Sequence, residues 1–314
     1  MSPAPLAPAA SATRLAYRVL IASAPVARTT PGARGWEWAW NRFVAEADGV
    51  TTIRLHGVDT MINVGHPYPA FMRRWPTYNR PLVRLVRTVA AAKGRAVTVV
   101  DVGASVGDTA RLLQSELGPQ VGDIWCVEGD DTFATILDAN FASDPHVHLV
   151  HALASDGAAS IPSLVRVHAG TASPRGEERS TSAPLDDLLA DAGPVDVVKI
   201  DTDGYDGCVL AGATRLCAEQ RPAVLFEWHP RLADLAGVPL ELAFERLEAA
   251  GYDTFLWFDK FGRYADADLD AAARAARADR CRRGEDTPAP DWHYDVVALA
   301  PGAGIDLDAL RRDG

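Results

Sequence analysis

The chain has 314 residues, of which 48% are hydrophobic and 23% charged, and its net charge is −11. A chain of this size buries roughly 75% of its surface on folding and needs neither disulfides nor a structural metal to do so. The acidic balance argues against wrapping a nucleic-acid backbone. No run approaches ~18 uninterrupted apolar residues, so no membrane span is expected, and the expected location is the cytoplasm.

In chain order, the first ~12 residues are rich in Ala and Pro and are expected to be disordered. Residues 15–27 form the one candidate targeting segment, but Arg18 and Pro25 interrupt it, so no signal peptide is assigned. The stretch GWEWAWNRF places tryptophan at every second position (Trp36, Trp38, Trp40), which suits a strand or an amphipathic packing segment. Residues 62–82, INVGHPYPAFMRRWPTYNRPL, combine loop chemistry with too many aromatics for a free linker. Residues 1–90 therefore read as an N-terminal extension packing over the active site, and 91–314 as the catalytic domain.

From residue 96 onward, strand-length apolar runs alternate with helical patterns. The runs occupy 96–103, 123–129, 146–152, 195–201, 223–229, 254–259 and 294–300. Continuous β-branched and aromatic runs mark strands buried on both faces. Val209, Leu210, Ala213, Leu216 and Cys217 form one helical stripe, and Leu240, Phe244 and Leu247 another, with Gly251 as its C-terminal stop. The alternation predicts an α/β fold with a doubly wound, mostly parallel seven-stranded sheet. Residues 157–184 break the pattern and read as an inserted hairpin with an exposed polar tip. Arg274, Arg277, Arg280, Arg282 and Arg283 read as a solvated helix face. Cys126, Cys208, Cys217 and Cys281 lack paired metal-ligand spacing and read as reduced core thiols.

The run VVDVGASVGDTARLL (residues 99–113) carries the first site motif. Asp101 ends a strand, Gly103 and Gly107 bracket a tight turn, and a helix follows at once. Such a turn lets a ligand approach backbone amides closely. The next strand ends in Glu128, placed to accept the hydroxyls of a ribose. The spacing D-x-G-x-x-x-G differs from the nicotinamide pattern G-x-G-x-x-G. A carboxylate at Asp101 would repel a pyrophosphate and suits a ligand with an amino group and a sulfonium, such as S-adenosylmethionine.

KIDTDGYD (199–206) is the second motif. It fails the calcium-loop pattern, since Tyr205 and Gly212 fall where acids are required. Lys199 and Asp201 share one face of a strand, with Asp201 at its carboxyl end, where ligands of open α/β sheets bind. The following strand ends in Glu227 and His229, so Lys199, Asp201, Asp203, Glu227 and His229 are expected on one rim. Asp206 equally suits the helix dipole. Only Lys93, Lys199 and Lys260 among 31 basic residues are lysines, so a lysine in a buried strand points to a need for a compact ammonium.

The ordered set VVDVGASVGDT, CVEGDD, ALASD, PLDDLL, VVKIDTDGYDGCVLAGA and FEWHP resembles the FkbM-type S-adenosylmethionine-dependent methyltransferases over roughly residues 97–230. The resemblance implies the class I methyltransferase sheet with an antiparallel last strand, and O-methylation of a hydroxyl on a sugar, glycan or secondary metabolite. It places Asp101, Gly103, Ala104, Ser105 and Gly107 around the methionine part of the cofactor, Glu128 at the ribose, and Ser155 with Asp156 near the adenine. Ser105 stands where the family usually has Asn, and Asp130 where it usually has Pro. His66, Tyr68, Tyr78 and Asn79 are expected to fold over cofactor or acceptor.

Methyl transfer to oxygen needs a group that takes the hydroxyl proton. His229 is the first candidate base and Asp201 the second, with Lys199 and Glu227 beside them. A divalent cation on Asp201, Asp203 and Glu227 is the alternative and is not expected, because Lys199 already neutralises part of their charge. A nicotinamide-dependent sugar oxidoreductase and a non-catalytic cofactor-binding partner are the competing functions.

Overall fold

The computed structural model describes residues 6–28, 30–157, 161–168, 171–285 and 292–312, with side chains described except at 30–31 and 161–180. Helices α1 (Ser11–Ser23) and α2 (Thr30–Val44) precede an antiparallel hairpin of β1 (Val50–Leu55) and β2 (Val58–Asn63), and then α3 (Tyr68–Arg74) and α4 (Arg80–Lys93). The alternating part runs β3 (Val97–Val102), α5 (Asp108–Leu117), β4 (Val121–Glu128), α6 (Asp131–Phe141) and β5 (Val147–His151). An insertion follows: β6 (Leu153–Ser155), β7 (Ile161–His168), β8 (Thr171–Ser180), β9 (Ser182–Pro184) and α7 (Leu185–Leu188). The chain then returns through β10 (Val197–Ile200), α8 (Asp206–Ala211), β11 (Ala223–Trp228), α9 (Pro230–Ala236) and α10 (Leu242–Ala249). It closes with β12 (Thr254–Asp259), β13 (Tyr264–Ala267), α11 (Ala271–Arg283), β14 (Tyr294–Leu299) and α12 (Leu307–Arg311).

The main sheet has the order β13-β12-β14-β11-β10-β3-β4-β5. Strands β11, β10, β3, β4 and β5 are mutually parallel, while β14 inserts antiparallel between β11 and β12. The seven expected strands and the reversed last one are all present; β13 is an eighth that the short, polar run YADA did not announce. Val100, Ile200, Phe226 and Trp257 point to one face, under α8, α10 and α11. Val99, Val197, Leu225 and Val297 point to the other, under α4 and α5. Both faces are covered, which is why the strands read as unbroken apolar runs. Chain order reverses between β3 and β10, so their carboxyl ends form the switch point where ligands bind in such sheets.

Several expectations change. Residues 6–12 are ordered: the Ala9 amide donates to Val50 O and the Val50 amide to Ala7 O, both at 2.9 Å, before α1 begins at Ser11. Residues 1–5 lie outside the described residues. The tryptophan-rich stretch is helix α2, not a strand: Trp36 and Trp40, one turn apart, stack at 5.1 Å, while Trp38 is 71% exposed. In the insertion, β7 and β8 pair antiparallel as a hairpin, and its tip at 169–170 lies outside the described residues. The arginines of α11 are not a uniformly solvated face. Arg274 is buried and pairs with Glu241 (2.7 Å) and Glu248 (3.2 Å), and Arg277 pairs with Asp266 at 2.8 Å. All four cysteines are buried free thiols.

Candidate functional site

The switch point is held by one unusually close backbone approach. Gly103 has φ +77°, and a Cβ there would lie 2.0 Å from the Asp201 carbonyl oxygen, so only glycine lets the ends of β3 and β10 meet. The Gly103 and Ala104 amides donate to Val127 O, at 2.9 and 3.2 Å, which turns the loop toward β4. Ser105 then adopts a left-handed φ of 49°.

Glu128, at the end of β4, is buried and clasps this loop. Its Oε2 accepts from the Ser105 amide and its Oε1 from the Asp130 amide, both at 2.7 Å. Burial pushes its carboxyl up to about 7, against those two hydrogen bonds. Each oxygen keeps a lone pair, so the carboxylate can hold the loop and still accept from a ligand hydroxyl. Asp130 caps α6 through the Thr132 and Phe133 amides.

Across the switch, Lys199 and Asp101 are direct partners in the β10–β3 register. The Lys199 Nζ lies 2.9 Å from Asp101, 3.4 Å from Asp201, and donates to Gly103 O at 3.4 Å. Asp101 is fully buried and Lys199 nearly so, whereas Asp201 is half-exposed. The charge of Asp101 is therefore paired with Lys199 inside the protein. Asp201 is the member of the trio that faces outward.

Beyond β10 the rim is acidic. Glu227 on β11 sits opposite Asp295 on β14. The fields of Asp201, Asp203, Asp206 and Asp295 add to burial in raising the Glu227 carboxyl. Asp206 accepts from the Thr202 hydroxyl (3.1 Å) and the Glu227 amide (3.2 Å). Burial followed by Asp201 pushes Asp206 to about 7 and Asp295 to about 8. His229 is buried, and its Nδ1 accepts from the Leu232 amide at 3.4 Å as the cap of α9. That bond leaves the neutral ring's proton on Nε2, a donor position. Among the described residues no group of three His, Cys, Asp or Glu could hold a metal ion, so Asp201, Asp203 and Glu227 are not brought together as a ligand set.

The N-terminal segment reaches the loop. His66 Nε2 lies 3.1 Å from the Ser105 hydroxyl, and burial pushes its imidazole down to about 3, so the ring is neutral. Tyr17 of α1 donates to His66 O at 2.7 Å. Tyr68 is buried with its hydroxyl 2.8 Å from His56 Nε2, and Asn79 hydrogen-bonds to it. Tyr78 lies edge-on to Tyr68, with its hydroxyl in the fields of Asp201, Asp295, Asp108 and Glu227. Ser155 is fully buried, donating to the Ser182 hydroxyl (2.9 Å) and accepting from the Gly157 amide (3.2 Å), while Asp156 is exposed. Leu153, two residues earlier, lies against Gly129, so this strand borders the Glu128 side of the site.

Sequence reasoning missed Asp108 and Asp295. Asp108 opens α5 and is buried, its carboxyl pushed up to about 7 chiefly by burial; its place directly after Gly107 was a readable signal. Asp295 became a site residue only through its register with Glu227, which a single strand does not reveal. Two grooves of about 400 and 660 Å³ lie at the amino end of the sheet, around Arg87 and Ala96 and around Lys93 and Val195, away from this rim.

The family model for the methyltransferase FkbM domain matches residues 33–254. No curated protein matches the chain in sequence. A solved methyltransferase FkbM from Methylobacillus flagellatus KT is 24% identical, over 51% of this chain and 40% of its own, with a TM-score of 0.37; the chain thus spans two fifths of that protein. A precorrin-6y C5,15-methyltransferase from Geobacter metallireducens GS-15 is 15% identical over 70% of this chain and 87% of its own, with a TM-score of 0.36. A fibrillarin from Aeropyrum pernix, natively bound to S-adenosyl-L-methionine, is 14% identical over 69% and 76%, with a TM-score of 0.37.

Proposed function

Because the chain belongs to the FkbM methyltransferase family, we propose that it transfers the methyl group of S-adenosylmethionine to a hydroxyl of a sugar, glycan or glycosylated secondary metabolite. The observation that carries this reading is the Gly103 turn pressed against Asp201, with Glu128 clasping its other side. Gly103, Ala104, Ser105 and Gly107 would frame the methionine part of the cofactor and Glu128 its ribose. Ser155 would support the adenine edge through the backbone, since its hydroxyl is engaged by Ser182 and Gly157, and Asp156 would face it. His66, through Ser105, would hold the N-terminal segment over the loop, with Tyr68 and Asn79 beside it. Bound there, S-adenosylmethionine supplies an electrophilic methyl group on a sulfonium.

Asp201 is the base this geometry supports better than His229. It is half-exposed, stands at the carboxyl end of β10 beside the Gly103 turn, and is held by Lys199. It takes the proton that the acceptor hydroxyl loses as the new O–C bond forms and the S–C bond breaks. His229 instead spends Nδ1 on the α9 cap. Positioned donor and acceptor supply ~7–11 kcal/mol of the barrier reduction, and the base ~3–5 kcal/mol more. No divalent cation is assigned a role.

The test is calorimetric titration with S-adenosylhomocysteine, then turnover with sugar acceptors. Glu128→Ala should abolish saturable cofactor binding. Asp201→Asn should keep it and lower kcat by roughly tenfold or more. Wild-type protein that binds no S-adenosylhomocysteine would overturn the reading, and full turnover by Asp201→Asn would remove that residue as base.

A further inference from the structure

We propose that Glu227 and Asp295 form a subsite for an ammonium group on the acceptor, so that the methylated molecule is an amine-bearing alcohol such as an amino sugar. The inference rests on the methyl-transfer reading above and specifies its substrate.

The first observation is an unanswered buried acceptor. The Glu227 side chain is only 10% exposed; one oxygen lies 3.4 Å from His293 Nδ1, but Oε2 is buried with no hydrogen-bond partner among the described residues. Leaving a buried carboxyl oxygen unpaired is costly, whereas an ammonium brings three N–H donors and favours the ionised group. The second is charge. Glu227 and Asp295 face each other across β11 and β14, and Asp201, Asp203 and Asp206 bear on the same spot. Lys199, whose charge bears on Asp295, is already shared between Asp101 and Asp201. The third is position. Adjacent strands lie ~4.8 Å apart, which puts Glu227 ~10 Å and Asp295 ~14 Å from β3. Asp295 lies three strands from the Gly103 turn, so a cation meeting it is assigned to the acceptor and not to the cofactor.

Tyr78 completes the subsite. Its hydroxyl lies in the fields of both carboxylates.

The experiment uses the full chain saturated with S-adenosylhomocysteine at pH 7, whose binding is measured first. That complex is titrated with glucosamine, glucose and N-acetylglucosamine. Glucosamine should bind about tenfold or more tightly than either neutral sugar, the gain expected of one charge-assisted contact. Glu227→Gln, and independently Asp295→Asn, should erase the preference while S-adenosylhomocysteine still binds, which also certifies the fold. Glucosamine binding no tighter than glucose, including saturable binding of neither, overturns the subsite. Failure of S-adenosylhomocysteine to bind overturns instead the cofactor reading beneath it.

Discussion

Replacing Lys199 by methionine would leave Asp101 without a counter-charge at zero exposure. Breaking a buried pair from one side costs about 3–5 kcal/mol, so urea unfolding of Lys199→Met should show a loss of that order. The loss should shrink as pH falls, because burial already raises the Asp101 carboxyl and the unpaired acid escapes its penalty by protonating. A loss independent of pH would mean that packing, not charge, is what Lys199 supplies. A second expected outcome concerns Gly103→Ala. The alanine Cβ would meet the Asp201 carbonyl at 2.0 Å with φ at +77°, so β3 and β10 must separate. S-adenosylhomocysteine affinity should fall by about tenfold or more, since 1 Å of misplacement in a positioned site costs on that scale. Unaltered affinity in the titration would show that the turn does not frame the cofactor. The sequence announced these residues but not their pairing. Lys199 and Asp201 are visibly two apart on one strand; that the nearer partner is Asp101 depends on the register of β10 against β3, a property of two segments nearly a hundred residues apart.

At the scale of elements, the extension is joined to the Gly103–Gly107 turn by a core of its own. Tyr17, Val50, Ile62 and Val64 pack with Val106 of the turn and with Phe133 and Ile136 of α6. Phe133 is fully enclosed where these pieces meet and lies against the His66 ring. Phe133→Ala should cost about 3–5 kcal/mol. It should also weaken S-adenosylhomocysteine binding although it touches no expected ligand position. Stability lost with affinity intact, read from thermal unfolding and calorimetry on the same sample, would show that the extension packs without shaping the turn. The legible and illegible elements divide on physical grounds. Strands buried on both faces write themselves as unbroken apolar runs, so 96–103 and 223–229 were plain. The β1–β2 hairpin pairs one covered face with one wet one through a His56-Gly57 turn, both residues at positive φ, and its weak alternation VTTIRL did not stand out. In α2, period two fits all three tryptophans and period four fits Trp36 and Trp40; packing chose the second, burying Trp36 and leaving Trp38 in solvent.

For the whole molecule, the rim makes stability depend on pH in an uncommon direction. Asp108, Glu128 and Asp206 are pushed up to about 7 and Asp295 to about 8, in each case chiefly by burial. In the unfolded chain such carboxyls titrate near ~4, so between about pH 4 and 8 the folded state binds more protons than the unfolded one. Stability from a group raised on folding is complete below its unfolded value and lost as pH rises through its folded value. One carboxyl held about three pH units above its unfolded value is worth roughly 4 kcal/mol over that window. Four such groups close together share their protons and contribute less than the sum. The melting temperature at fixed ionic strength should therefore be higher at pH 6 than at pH 8. Binding a cation at the rim should reverse the bias, since a positive charge favours the ionised carboxylates and expels their protons. Calorimetry of an amine-bearing acceptor at pH 7 in buffers of different ionisation enthalpy should then register net proton release. Glu227→Gln and Asp295→Asn should reduce it. A melting temperature that climbs from pH 6 to pH 8 would mean that these carboxyls are ionised in the resting fold, and that the charge excess at the rim is met in some way other than by retained protons.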